Sequence, residues 1–265
     1  MSVASDRPSG VSWPVRLHTH AWNPLATGPR ALLLHGLGSD GATWWRLASQ
    51  LADEGWSVLA PDLRGHGRSP AAVDHRIATL ARDVALLGAA YDLVVGHSLG
   101  GAVAATLLAD AEVEIRGAVL VDPVLRLAAD DRERLRVEQR ADVGRLAADE
   151  VAAANPRWDP RDVDRKVLAA AQVAPSVVDA VVDHNDPWDV AGSAGAWTAR
   201  VHLLAADPAV GSLLAPALLD QLVDGDRVTG EVVPGAGHAI HRDDPATVAA
   251  AVGAVVGAGR STLGH

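Results

Sequence analysis

Ser98 sits in the run Gly96-His97-Ser98-Leu99-Gly100, between the apolar residues Leu93-Val94-Val95 and a helical pattern that reaches about Asp110. A serine hydroxyl is a weak nucleophile until a base takes its proton, and a sharp turn from strand to helix is one way to present it to a substrate. Glycines on both sides remove side chains that would collide where strand and helix pass closely. The N-terminus of the helix that follows directs backbone N–H groups toward negative charge developing on a bound carbonyl. The chemistry expected of this turn is nucleophilic attack on an acyl group.

Such a nucleophile needs a base, and the chain offers eleven histidines. His238 closes Pro234-Gly235-Ala236-Gly237-His238, directly after the last expected strand, which puts it on the same edge of the sheet as Ser98. His241, three residues on, is the second choice. His35 and His66 also follow strands and are read as shaping the loops beside the site, while His97 adjoins the nucleophile. A metal cluster of His35, His66, His97 and His238 would need carboxylate spacing that is not present, so neither a metal nor a cofactor is expected. A third residue should fix the imidazole tautomer and stabilise the imidazolium. Asp207, after Val201 to Ala206, and Asp122, after Val119 to Val121, both keep the chain order Ser, Asp, His. Each precedes a proline and equally suits a turn; Asp207 is ranked first.

Short apolar runs alternating with helical stretches must position these residues. Strands are expected at 31–34, 56–60, 93–95, 117–121, 201–205 and 228–233, with one or two edge strands within 11–22. Helices are expected at 43–54, 77–90, 213–223 and 245–256. This alternation indicates a parallel sheet covered on both faces. Residues 124–197 break the rhythm with mostly helical patterning and no convincing strand. They are expected to form a lid over the strand ends, where ligands bind in such sheets. The domain reading is a core of 1–123 and 198–265 with a helical cap of 124–197.

The composition narrows the partners. A net charge of -10 argues against nucleic acid or an anionic membrane, since both reward a basic face. With no cysteine there is no disulfide framework or thiol nucleophile. No apolar run reaches the roughly 18 residues of a membrane span, and Met1 to Gly10 lacks the apolar stretch of a secretory signal. A cytoplasmic protein acting on a small molecule is expected. Aromatic residues are eight Trp and one Tyr, so Ala, Val and Leu must fill most of the core. Lys166 is the only lysine, which is read as compositional bias without functional weight.

Four motifs in order resemble the α/β-hydrolase superfamily over about Leu32 to Val256. They are Leu33-Leu34-His35-Gly36, the run from Pro61 to Ser69, Gly96 to Gly100, and Gly235-Ala236-Gly237-His238. The resemblance implies a mostly parallel eight-stranded sheet with a helical cap inserted after the sixth strand. It matches Ser98 to the nucleophile, His238 to the base and Asp207 to the acid, with Asp122 the alternative position. The backbone N–H groups of Leu37 and Leu99 would form the oxyanion hole. The Gly-x-x-Asp pattern common before the acid is absent, since the chain reads Ala205-Ala206-Asp207-Pro208. The implied activity is hydrolysis of a carboxylic ester of a small apolar molecule. Lactone, amide or carbon–carbon bond hydrolysis and perhydrolysis use the same framework, and a receptor that binds without turnover is the alternative of another class. Gly36, His35, His97, Trp44, Trp45, Trp158 and Trp188 are candidates to line the substrate pocket. Those tryptophans, like Trp197, would serve equally as core.

Overall fold

The computed structural model describes residues 13–260. The expectations for Met1 to Gly10, and the first two residues of the 11–22 stretch, lie outside the described residues. Seven strands form the central sheet: β1 (Thr19–Trp22), β2 (Arg30–Leu34), β3 (Ser57–Pro61), β4 (Leu93–His97), β5 (Gly117–Val121), β6 (Arg200–Ala205) and β7 (Val228–Val232). Their order is β1-β3-β2-β4-β5-β6-β7, with β1 antiparallel to β3 and the rest parallel. The implied eight strands are thus seven among the described residues, because 13–30 contribute a single edge strand.

Apolar runs become strands here because both faces of the sheet are covered. In β2, Leu32 and Leu34 join the core cluster that contains Leu80, Val103 and Leu107. Ala31 and Leu33, pointing the other way, join the cluster with Trp44, Leu47 and Val252. The first face is covered by α2 (Ile77–Ala85) and α3 (Leu99–Leu108), the second by α1 (Trp45–Asp53) and the long terminal helix Pro245–Arg260. All residues of α3 but Thr106 are buried, which explains its apolar character all round. No single helix among the described residues is long and apolar enough to cross a membrane.

Between β5 and β6 the chain leaves the sheet. Helices α4 (Ala129–Asp142), α5 (Ala148–Ala154), α6 (Pro160–Ala171) and α7 (Pro175–His184) fill this excursion. It also holds a two-residue antiparallel ladder, Arg126–Leu127 with Trp188–Asp189, in a stretch read as mostly helical with no convincing strand. The excursion follows the fifth of the seven strands in chain order, one fewer than implied because one edge strand is missing. After β6 come α8 (Pro216–Leu222) and, past β7, α9 (Ile240–Asp243); the terminal helix is then α10.

The Pro61 to Ser69 motif is a brace. Asp62 accepts hydrogen bonds from the N–H groups of Gly41 (2.8 Å) and Arg68 (2.9 Å). Arg64, fully buried, donates from Nε and Nη2 to the Asp83 carboxylate of α2 at 2.6 and 2.7 Å. Removing one partner of such a pair leaves a charge uncompensated in the interior. Asp83→Ala is therefore expected to lower the unfolding free energy by about 3–5 kcal/mol. Urea denaturation would register the change, and an unaltered midpoint would contradict it.

Candidate active site

Strand register brings the chemistry to one edge. Leu34 of β2 pairs with Gly96 of β4, His97 with Val121 of β5, and Val121 with Leu204 of β6. Ser98, Asp122 and Asp207 consequently all lie just past C-terminal strand ends. Ser98 adopts φ 54° and ψ -119°, a left-handed conformation that costs energy for a residue with a side chain. Its N–H bonds the Val121 carbonyl at 3.1 Å and its carbonyl accepts from Ala102 and Val124, so surrounding structure holds the turn. The two flanking glycines are sterically required. A Cβ at Gly96 would lie 2.5 Å from the Gly100 carbonyl oxygen, and one at Gly100 would strike the carbonyl oxygens of Leu34 and His35.

His238 Nδ1–H donates to Asp122 Oδ2 at 2.6 Å. This fixes the tautomer and leaves Nε2 as the lone-pair nitrogen. Asp122 is completely buried, and it also accepts from Ser212 Oγ (2.6 Å), Leu213 N–H (2.9 Å) and Ala206 N–H (3.0 Å). Burial opposes its ionisation, but the His238 bond and the other donors outweigh that and hold its pKa at about 2. The carboxylate is charged at any ordinary pH.

Of the two carboxylates, it is Asp122 and not Asp207 that meets the His238 imidazole. Asp207 uses its carboxylate on backbone: Ala209 N–H at 2.9 Å and Gly235 N–H at 2.8 Å. Its own N–H donates to the Ala236 carbonyl at 2.9 Å. Asp207 clamps the loop that carries His238 and does not touch the imidazole. The short Ala205-Ala206-Asp207 turn has no residues to spare for carrying the carboxylate further.

The oxyanion candidates occupy matching positions. Leu37 and Leu99 line the same cavity as Ser98 and His238. Among the described residues, neither of their N–H groups donates to another protein acceptor. The loop after β2 comes so close to the nucleophile that a Cβ at Gly36 would lie 2.8 Å from His97 Nδ1 and 3.0 Å from Ser98 Cβ. Gly36 thus shapes the site without being part of the lining. His35 is fully buried: Nδ1–H donates to the Gly36 carbonyl (2.8 Å) and Nε2 accepts from Leu63 N–H (2.9 Å). It ties the oxyanion loop to the Pro61 to Ser69 brace and is not a pocket residue, contrary to expectation.

His97 donates from Nε2 to the His238 carbonyl at 2.9 Å. Its ring lies 4.7 Å from His238 and 4.6 Å from His241. Burial, then the neighbouring His241 and His238, keep the His97 pKa well below the usual value, so it stays neutral and holds the His238 backbone. Among the described residues His241, the second choice for the base, has no carboxylate partner; its Nε2 meets Thr43 Oγ1 at 3.3 Å and its Nδ1 meets no partner there.

The cavity measures about 90 Å³. Trp158 and Trp188 from the excursion line it as expected, together with Val124, Leu135 and Ala239. Trp44 and Trp45 do not. Trp44 is buried against His241 at 4.9 Å, and Trp45 donates from Nε1 to Asp162 while Arg46 and Arg161 cover its ring. Trp197 is core and donates to the Ala105 carbonyl. Residue-type reasoning missed Ser39, Gln139, Lys166 and Arg242, all polar members of the lining. Of these four, only Lys166, the single lysine of the chain, stands out in the sequence.

Comparison with known proteins agrees with this fold. A family model described as "Alpha/beta hydrolase family" matches residues 31–251. Lipase LipV of Mycobacterium tuberculosis is 35% identical over 178 residues, covering 64% of this chain and 62% of that protein. A putative carbamate hydrolase, RutD of Variovorax paradoxus, is 40% identical over 112 residues, covering 40% of this chain and 42% of that protein. The matches thus span less than two thirds of these curated relatives. A crystal structure of E-2-(acetamidomethylene)succinate hydrolase superimposes with a TM-score of 0.77 at 20% identity, covering 91% of this chain and 95% of that one. At that identity it speaks for the fold alone.

Proposed function

This chain belongs to the alpha/beta hydrolase family, and from that premise we propose that it is a serine hydrolase cleaving a carboxylic ester of a small molecule. Ser98 is the nucleophile, His238 the base and Asp122 the acid. The observation that carries the reading is the 2.6 Å bond from His238 Nδ1–H to buried Asp122, in the same cavity as a nucleophile turn at φ 54°.

His238 Nε2 takes the Ser98 proton as Oγ bonds to the ester carbonyl carbon. The Leu37 and Leu99 N–H groups receive the oxyanion, where each donor is worth about 100- to 1000-fold in rate. The tetrahedral intermediate expels the alcohol, which leaves with the proton from His238. Water then attacks the acyl-enzyme by the same route, and the acid departs as Ser98 regains its proton. Asp122 stays ionised throughout and stabilises the imidazolium. No step calls on a metal or cofactor. Residues 124–197 act as a cap, since Leu135, Trp158 and Trp188 supply one side of the cavity. Its small volume favours a short acyl group.

Turnover of 4-nitrophenyl esters of graded acyl length, beside a lactone and an anilide, tests the reading. Ester hydrolysis strongest with short acyl chains is expected. Activity on the lactone or anilide alone would overturn the ester assignment, and inactivity on all three classes would overturn the hydrolase reading.

A further inference from the structure

We propose that the far side of this cavity is an anion subsite, so that the substrate carries a carboxylate in addition to its scissile acyl bond. The proposal builds on the reading above, but replaces the wholly apolar substrate expected from sequence.

Lys166 of α6 and Arg242 of α9 both line the cavity, and among the described residues no Asp or Glu is in the lining. That is notable in a chain with 33 acidic and 23 basic residues, where chance would favour the opposite sign. Arg242 is only 6% exposed and forms no ion pair among the described residues. Its Nη2 donates to Thr43 Oγ1 (2.6 Å), its guanidinium lies 4.7 Å from the Trp158 ring centre, and its Nε has no acceptor. Asp162, Asp40 and Asp243 act on it only at longer range, and burial lowers its pKa to about 10, so it remains charged at neutral pH. A buried cation left without a counter-ion is costly unless a ligand supplies one.

The other members strengthen the case. Lys166 Nζ pairs with Asp142 at 2.9 Å, which ties α6 to α4. Among the described residues, that carboxylate is the one direct counter-charge for the two cations. Ser39 Oγ and Gln139 Oε1 line the same space, are buried and have no hydrogen-bond partner. Four elements therefore converge on one space with two cations and a free hydroxyl, which suits a carboxylate. The Gln139 amide can add a donor through its nitrogen. Field lines focused in a narrow cleft add to the attraction.

The test compares matched neutral and anionic esters. One pair puts the carboxylate on the acyl side, 4-nitrophenyl hexanoate against mono-4-nitrophenyl adipate. The other puts it on the alcohol side, phenyl butyrate against 4-butyryloxybenzoate. Rates are corrected for spontaneous hydrolysis. In at least one pair the anionic ester should have the higher kcat/KM by about 10- to 100-fold, mostly through KM. In Lys166→Met that ratio should fall to within about threefold of unity, whereas a merely loosened fold would lower both rates together. No anionic preference in either pair, or a preference unchanged in Lys166→Met, overturns the subsite. If no ester is hydrolysed, titration calorimetry of adipate against the wild-type protein decides independently. Saturable binding weakened in Lys166→Met supports the subsite although the ester reading has failed, and absence of binding overturns the subsite as well.

Discussion

Ser98→Ala is expected to lower kcat for ester hydrolysis by about a millionfold, with the fold intact. In the proposed mechanism the Ser98 hydroxyl is the group that forms the acyl-enzyme. The strained φ of 54° is held by the Val121, Ala102 and Val124 contacts, which all use backbone atoms and survive the substitution. The oxyanion N–H groups and the cavity also survive, so a residual rate about 1,000- to 10,000-fold above that in water should persist. Rates within tenfold of the wild type would mean that another residue attacks.

Asp122→Asn should lower the rate by about 10,000-fold. An amide nitrogen at Oδ2 would face His238 Nδ1–H, donor against donor, and favour the tautomer whose Nε2 carries the proton. Flipping the amide would instead set it against Ser212 Oγ and the Ala206 N–H, which now donate to Oδ1. Both orientations leave a conflict in a fully buried place. Asp207→Asn keeps a carbonyl oxygen for one backbone N–H and never meets the imidazole, so most activity should remain. Steady-state kinetics on the two variants separates the assignments: a severe loss only in Asp207→Asn would restore the sequence-based ranking.

That ranking shows where the sequence was legible. The strand-turn-helix around Ser98 could be read because its apolar strand, paired glycines and apolar helix all respond to one constraint, the close packing of β4, α3 and β2. The position of His238 at the sheet edge that carries Ser98 could be read from its place after β7. The acids were not separable, because Asp122-Pro123 and Asp207-Pro208 are the same local pattern after the same kind of strand. What distinguishes them is the positive φ of Asp122 and its cluster of donors from 206–214, distant in sequence. The missing Gly-x-x-Asp pattern before Asp207 was the available hint.

Pocket residues were the least legible. Trp44 and Trp45 follow the loop after β2 in sequence, yet the 3-10 turn Gly41–Trp44 sends Trp44 into the core and the start of α1 sets Trp45 onto Asp162. Lys166 and Arg242 reach the cavity from helices that are close only after the excursion packs over the sheet. Helical periodicity identified that excursion, but the face each helix presents to the site depends on packing between segments far apart in the chain.

Covalent labelling tests the central claim most directly. Intact-mass and peptide analysis after treatment with a fluorophosphonate should find one adduct, on the peptide containing Ser98, absent from Ser98→Ala and lost together with ester hydrolysis. An adduct on another residue, or a Ser98→Ala protein that still labels and hydrolyses, would contradict the account.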